Sequence, residues 1–510
     1  MIAAATLKAW IGDGRELAIL DAREDGEFGQ GHLFWAVPCP LSRAELRAPV
    51  LLPNKATRVV CVDGGGGSHA ARLAAVLRGL GHTDVHVLAG GTPAWAAAGY
   101  IVFTGVNVPS KAFGEWAEHH YSTESLDPAE LQALMASGQQ MVVLDSRPMD
   151  EFHRMTIPGA INVPGGELVY RIGDIAPDPG TTIVINCAGR TRSIMGAESL
   201  RRAGVPNRIV ALRNGTMGWE LAGLTCERGQ TRSYAPGTPA SAALAFSRAD
   251  GFARQTGVRF GPVEPAADRT TYCLDVRSAE EFAAGHLPGF RHAPGGQLIQ
   301  ATDQWVAVRH AHIVLTDLGG QEGGDAEGGA RARMAAAWLR FLGGWEVHVL
   351  DGPPATALVT GPPAAAPRTR TVSVARLAAT PAALVIDLAR SVDFRAGHIP
   401  GAVWGIRGRM MPPPPTPLLV VTAPDPALAQ LAAKELGAHV LEGGTAAWAA
   451  AGLPMMRDRA IPADADCVDF HLRPYDRNSG VEDAMRAYLS WEIDLVHEVA
   501  RDGDAHFGRH

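Results

Sequence analysis

One phrase occurs four times in this chain, and that recurrence restricts the architecture more than any other feature. "LDAREDGEFGQGHLFWA" begins at Leu20, "LDSRPMDEFHRMTIPGA" at Leu144, "LDVRSAEEFAAGHLPGF" at Leu274 and "IDLARSVDFRAGHIPGA" at Ile386. A second phrase closes three of the same units: "LAGGTPAWAAAGY" from Leu88, "LRNGTMGWELAGL" from Leu212 and "LEGGTAAWAAAGL" from Leu441. The third unit carries "VLDGPPATALVTG" there, a degraded ending. A period on the order of 110–130 residues is far longer than a solenoid repeat and matches whole domains. Length alone predicts about three to five domains. The repeats place four, at residues 1–107, 120–230, 245–355 and 368–458. Residues 459–510 form a tail whose segment "VEDAMRAYLSWEIDLVHEVARDG" has apolar residues near helical spacing and is expected to pack back onto the domains.

Within unit two the elements alternate. "DPAELQALMASG" predicts a helix with Asp127 as N-cap, Pro128 in the first turn and Glu130 as the capping-box acid. "MVVLD", "AINVP", "TTIVINC" and "RIVAL" read as short strands. "MDEFHRM", "GGELVYRIGDI", "RSIMGAESLRRAG" (closed by Gly204) and "TMGWELAG" read as helices. Apolar strands alternating with helices imply an α/β fold, a mostly parallel sheet with helices on both faces, repeated four times. Composition shifts mark linkers at "RGQTRSYAPGTPASAA" and "GPPATALVTGPPAAAPRTR", and "GGQEGGDAEGGA" reads as a flexible acidic loop.

In such sheets the reactive crevice lies beyond the carboxyl ends of the strands. Cys187 stands at one of those ends, in "TTIVINCAGRTRSIMGAESL". A loop with Gly189, Arg190 and Arg192 follows, and then a helix. Aligning the helices puts Val62, or Asp63 with a one-residue slip, opposite Cys187 in unit one; Asp317 and Ala423 take that place in units three and four. Only unit two retains a thiol there.

The "LDxR…EF…GH[IL]PGA" phrase, the strand–Cys–loop–helix element and the closing "GGTxAW…AG" phrase together resemble rhodanese-like sulfurtransferase domains. The resemblance covers nearly the whole chain apart from the tail, and it makes unit two the catalytic one. It implies a sulfurtransferase of the thiosulfate sulfurtransferase (rhodanese) type. Such an enzyme takes a sulfane sulfur from thiosulfate or a related persulfide donor onto Cys187 and passes it to a thiol, cyanide or protein acceptor. No cofactor is implied. Unit two departs from the family phrase at Thr156, where the other units carry His; that His is read as structural.

Physical chemistry supports the loop's part in such a reaction. Only a thiolate attacks, and an ordinary cysteine near pKa ~8.5 is mostly protonated at neutral pH. A tight loop leading into a helix N-terminus directs backbone N–H groups at its centre. Gly189 permits positive φ where the curl requires it, and Arg190 and Arg192 add permanent charge. Ala188, Gly189, Arg190, Thr191, Arg192 and Ser193 are therefore the expected substrate-binding residues, with either arginine open as the one facing the sulfur. The residue six places after Cys187 is Ser193, with Arg192 one place earlier. Phosphatase and arsenate-reductase relatives, which resemble Cys-x5-Arg phosphatases, have a loop one residue longer. The shorter loop favours sulfur over a phosphoryl group. Those enzyme classes, and a non-catalytic binding scaffold, are the alternative readings.

The remaining features read as structural. Cys39, Cys61, Cys226, Cys273 and Cys467 are expected to be inert core thiols. The recurring Asp145, Arg147 and Glu151 pattern predicts a buried structural ion pair. "DGGGGSH" at Asp63 reads as a degenerate loop, and Trp95, Trp219 and Trp448 as core anchors. Asn214 follows a strand and is placed to reach the pocket. Cys467, His471, His497, His506 and His510 lack metal-site spacing, so no metal is expected. A formal charge of −7 in 510 residues argues against a nucleic-acid partner. No apolar run approaches the ~20 residues that would span a membrane. Scattered cysteines, together with Lys8 and Asp13 where a signal peptide would be apolar, predict a cytoplasmic location. A homodimer stays open.

Overall fold

The computed structural model describes residues 1–263, 268–319, 329–351, 357–360 and 370–508. It contains four five-stranded sheets. In unit two the strands lie, in spatial order, Ser125–Leu126, Ile209–Leu212, Thr182–Asn186, Met141–Asp145 and Ile161–Asn162, all parallel. Units three and four repeat that order and direction. Their central strands are His312–Thr316 and Thr271–Asp275, then Leu419–Thr422 and Leu384–Asp387. Each βαβ crossover places a helix on a face of its sheet, so both faces are covered and the central strands are mostly apolar. Thr182–Asn186 is buried at every position.

Unit one departs from the pattern. Its strand Leu17–Asp21 accepts an antiparallel partner from unit three, Val308–Arg309, with Leu17 opposite Arg309. The two units also share the Thr57–Thr270 hydroxyl contact (2.8 Å) and the bond from the Tyr272 hydroxyl to the Leu51 carbonyl (2.6 Å). Units two and three meet along equivalent segments, Gly165–Gly166 against Gly295–Gly296. A Cβ on Gly166 would lie 2.8 Å from the Gly296 nitrogen, so only glycine permits this backbone approach.

Local signals in the sequence act as expected. Asp127 and Glu130 form a reciprocal capping box on Pro128–Ala136, and Gly204 takes φ +70° after the helix Thr191–Arg202. Trp95, Trp219 and Trp448 are buried. Each donates its indole N–H to the carbonyl six residues on, at Ile101, Thr225 and Pro454.

Two helices lie where the sequence predicted none. Val108–Tyr121 bridges units one and two. Pro239–Gln255 starts inside the segment read as a linker, because Thr238 caps it by accepting from Ser241 N–H and Pro239 occupies its first turn. In the tail a helix occupies Val481–Asp502, whereas residues 459–480 contain only the short 3-10 turns Asp464–Asp466 and Pro474–Asp476. The acidic loop "GGQEGGDAEGGA" and the second linker lie mostly outside the described residues, as does much of unit three's degraded ending. Among the described residues no helix is long and apolar enough to cross a membrane.

Candidate active site

Strand register decides which residues are equivalent. Asp145 pairs with Asn186, Asp275 with Thr316, Asp387 with Thr422 and Asp21 with Val62. The residue after each second partner is Cys187, Asp317, Ala423 and Asp63. In unit one the one-residue slip is therefore the correct alignment, and Val62 is the last strand residue.

Cys187 is 2 % exposed, and its sulfur lies 3.4 Å from the Ser193 hydroxyl. Its carbonyl accepts from Thr216 N–H (2.9 Å), and the Ala188 carbonyl accepts from Met217 N–H (3.0 Å). These bonds tie the loop to the first turn of the helix Gly215–Leu221. Gly215 sits at φ +54° with its Cβ position 2.3 Å from the Cys187 carbonyl oxygen, so a side chain there would push the loop away.

Not every loop residue lies where the sequence pointed. Gly189 is outside the left-handed region. Its missing side chain instead admits the C-terminal helix, since its Cβ position lies 3.1 Å from both Glu492 Oε2 and Tyr488 Cε1. Thr191 donates its hydroxyl to Glu492 Oε1 (2.7 Å). The Ser193 amide is consumed by the Arg190 carbonyl (3.1 Å), and so is the Ser193 hydroxyl (2.8 Å). Ser193 N–H thus drops out of the expected cradle, which is left to the loop amides and the first helical turn.

The two arginines diverge. Arg190 turns away, toward the helix Val108–Tyr121. There it binds Glu115 through two bonds of 2.8 Å, contacts Glu118 and donates to Asn214 Oδ1 (3.3 Å). Asn214 is thereby used as a clamp on Arg190. Burial pushes the Glu115 carboxyl up to about 7 despite Arg190. Arg192 faces the cavity described below and is held bidentately by Glu151 at 2.9 and 2.8 Å. Burial works against its charge, but Glu151 outweighs burial and the Cys187 sulfur adds to the effect, so Arg192 stays above its ordinary range.

Glu151 is therefore not part of the ion pair its motif suggested. Asp145 and Arg147 form that pair, at 2.9 and 2.7 Å, with Asp145 also accepting from Asn186 and Thr156. Thr156 takes this role where the other units place His32, His286 and His398, each stacked on the Phe of its own "EF" or "DF" at 3.7–3.8 Å.

In units one and three the same loop holds a carboxylate. Asp63 accepts from the amides of Gly65 (2.9 Å) and Ala70 (3.0 Å). Asp317 accepts from Gly319, Gly329, Arg331 and Ala332 at 3.0–3.4 Å. The amides that converge at this position bind an anion wherever the chain provides one.

A cavity of about 410 Å³ opens beside the unit-two loop, with Ala188 and Arg192 in its wall. Its other walls come from every unit and the tail, through Arg43, Asp303, Arg390 and Tyr488. The Val108–Tyr121 helix supplies Lys111, which pairs with Glu492 at 3.1 Å and binds the Tyr488 hydroxyl. Sequence reasoning missed Lys111, Tyr488 and Glu492, because no local pattern announces contacts made across more than 370 residues.

The other five cysteines sit apart from such a loop. Burial raises all five, pushing Cys39 and Cys226 up to about 12. His312, Glu346 and His348 come within 4.8 Å of one another at the amino ends of unit-three strands, a grouping the sequence reading did not consider. Arg259 and Arg269 already grip Glu346, and the two imidazoles bond to each other at 2.6 Å.

Sheet order, repeated motifs and loop geometry define an α/β protein of tandem anion-cradle domains, and the chain belongs to the rhodanese-like domain family. The family model matches residues 3–98, 127–222 and 264–352, together more than half of the chain. A crystal structure of a thiosulfate sulfurtransferase from Pseudomonas aeruginosa superimposes with a TM-score of 0.87 at 41% identity, covering 99% of both chains. A putative thiosulfate sulfurtransferase, SseB, of Mycobacterium tuberculosis is 31% identical over 206 residues, covering 33% of this chain and 72% of that protein. An HTH-type transcriptional regulator of the same organism is 34% identical over 107 residues; the match spans 21% of this chain and 46% of the regulator.

Proposed function

We propose that this protein is a thiosulfate-type sulfurtransferase in which Cys187 carries the transferred sulfur as a persulfide. One observation carries the reading: the position that holds a caged aspartate in units one and three holds the cysteine in unit two. A thiolate or a persulfide there meets amides that otherwise bind a carboxylate. Only a thiolate attacks a sulfane sulfur, and a loop whose counterparts hold an anion is a fitting place for one. Arg192, locked by Glu151, adds a fixed cation on the cavity side for the anionic donor. Arg190 acts as a positioning residue, anchoring the loop to the Val108–Tyr121 helix.

The reaction divides into two displacements. The Cys187 thiolate attacks the sulfane sulfur of thiosulfate, the S–S bond breaks, and sulfite leaves with the electron pair. An acceptor thiolate or cyanide then attacks the outer sulfur of the persulfide, and the Cys187 thiolate is the leaving group. Covalent storage predicts ping-pong kinetics. All six cysteines are free, which suits a reducing, cytoplasmic setting.

The test is direct. Thiosulfate treatment should add about 32 Da, one sulfur, to the Cys187 peptide. Cys187→Ser should abolish thiosulfate:cyanide transfer while the circular dichroism spectrum is retained. Full activity in that variant would reject the assignment.

A further inference from the structure

The loop that carries the thiol is covered, whereas its counterparts in units one and four are open. Residues 64–68 are exposed in the unit-one loop, and residues 424–426 in the unit-four loop. In unit two every residue from Cys187 to Ser193 is buried except Ala188 and Arg192, which are partly buried. Those two are the loop residues in the wall of the cavity of about 410 Å³.

The cover comes from two helices outside the repeated phrases. Val108–Tyr121 lies close on the loop: a Cβ on Gly114 would sit 2.6 Å from Thr191 Cγ2, and Glu115 holds Arg190. The tail helix Val481–Asp502 lays Tyr488 and Glu492 against Gly189, and Glu492 accepts from the Thr191 hydroxyl (2.7 Å). Met485 and Leu489 pack on Met217, with Ala188 against the same cluster. Lys111 bonds to both Tyr488 and Glu492 and so pins one helix to the other. The fold itself does not demand such a cover, since units one and four leave the same loop to solvent.

We infer that the tail helix is a size filter for the second half of the reaction. The sulfur held at Cys187 passes to a small free acceptor that enters the cavity, and not to a cysteine on the surface of a folded protein. A cavity of this volume takes a small molecule, whereas a protein surface reaches the loop only by lifting the helix. Tyr488 and Glu492 set this specificity by position, through their contacts with Gly189 and Thr191. The inference rests on the sulfur-transfer reading and narrows its acceptor. The displacement is unchanged: the acceptor bonds to the outer sulfur, the S–S bond breaks, and Cys187 keeps the electron pair. With cyanide as acceptor the product is thiocyanate.

Two reagents with one reactive group test access on the full chain. One is iodoacetamide; the other is an iodoacetyl group coupled to the amino terminus of ubiquitin. The mass of the Cys187 peptide follows each reaction. The wild type should react at least about a hundredfold faster with iodoacetamide, because the larger reagent waits for the helix to lift. Tyr488→Ala/Glu492→Ala should narrow that gap about tenfold, the shift expected when the helix loses one charge-assisted hydrogen bond. Tyr488→Ala alone, at a partly buried position, should move the gap the same way and guards against a folding defect in the pair. Tyr488→Phe keeps the ring and should leave the gap as in wild type. The ratio of rates isolates access, because a change in the thiol's own reactivity moves both rates together. Comparable rates for the two reagents in the wild type, or a gap unmoved in both alanine variants, overturn the inference. So does failure of iodoacetamide to reach Cys187. The sulfur added by thiosulfate is read separately. Sulfur uptake with comparable alkylation rates defeats this inference alone, and a preserved gap without sulfur uptake defeats the transfer reading.

Discussion

Units two and three are built from the same parts. Each has the buried Asp–Arg pair, Asp145 with Arg147 and Asp275 with Arg277. Each has a Glu that grips the second residue of the helix after the loop, Glu151 on Arg192 and Glu281 on Arg331. They differ at the end of one strand, where unit two presents the Cys187 thiol and unit three the Asp317 carboxylate. Asp317 is held by four amides. The surroundings are further altered, because Arg331 binds Glu167 of unit two as well as Glu281 and so works as an inter-unit tie. On the proposed sulfur-transfer reading, the cradle is a structural anion site that becomes chemical only when its occupant can bond to another sulfur. Where the anion is part of the chain, nothing can be exchanged.

The largest effect follows from turning one unit into the other. Cys187→Asp should close the unit-two cradle with its own carboxylate. Turnover should fall by more than about a thousandfold through loss of the nucleophile, and thermal stability should match or exceed wild type as the loop amides gain a permanent acceptor. Activity and a melting curve on one preparation check both halves. Lost activity with a large drop in melting temperature would show that the unit-two loop is not the same anion site.

Next comes the asymmetry between the arginines. Arg192→Met should lower kcat/KM for thiosulfate about a hundredfold, the range for losing one preorganised electrostatic contact. Arg190→Met should act mainly on the fold, costing about 3 kcal/mol as Glu115 loses its buried partner, with the smaller effect on turnover. Urea unfolding beside steady-state kinetics separates the two. A reversed order would place Arg190, rather than Arg192, at the sulfur.

How much of this was written in the sequence depends on distance along the chain. The repeated phrases carried the four sheets, and local chemistry carried the capping of Pro128–Ala136, the Gly204 stop and the three tryptophan anchors. The strand, loop and helix around Cys187 were legible because they are contiguous in the chain. The division of labour between Arg190 and Arg192 was not. They stand three and five residues after Cys187 in "CAGRTR", and only the placement of Glu115 and Glu151, 75 and 41 residues away, decides which one turns from the cavity. The Val108–Tyr121 helix lies between repeats and shares none of their phrases, so no repeat announces it. A glycine at 189 suggests backbone freedom, whereas its use is to make room for Tyr488 and Glu492, which lie some 300 residues away along the chain.

A smaller effect is expected at Gly215. Gly215→Ala puts a methyl group 2.3 Å from the Cys187 carbonyl at a φ of +54°. The displaced loop should lose about 1–3 kcal/mol of stability and about tenfold in turnover. The equivalent change in unit one, Gly91→Ala, meets the Asp63 carbonyl at 2.4 Å and should cost similar stability with little loss of activity. Equal losses of turnover from both variants would break the assignment of chemistry to unit two alone.

The finest distinction between the units lies in acid. Burial raises the carboxyls of Glu151 and Glu281, but Arg192 and Arg331 outweigh it, so both sit below the ordinary 4.5, Glu281 at about 2 and Glu151 lower still. A carboxyl depressed in the folded state binds fewer protons there than in the unfolded chain. Its stabilisation is complete above pH 4.5 and disappears as the pH falls toward 2. Glu281→Gln and Glu151→Gln should each flatten the acid limb of the stability curve. Glu151→Gln should flatten it more, because Glu281 is about a third exposed and partly screened by solvent. Urea midpoints between pH 5 and pH 3 measure this without reference to activity. Acid limbs identical to wild type in both variants would mean that the Glu–Arg pairs are not held in the charged form that keeps Arg192 facing the cavity.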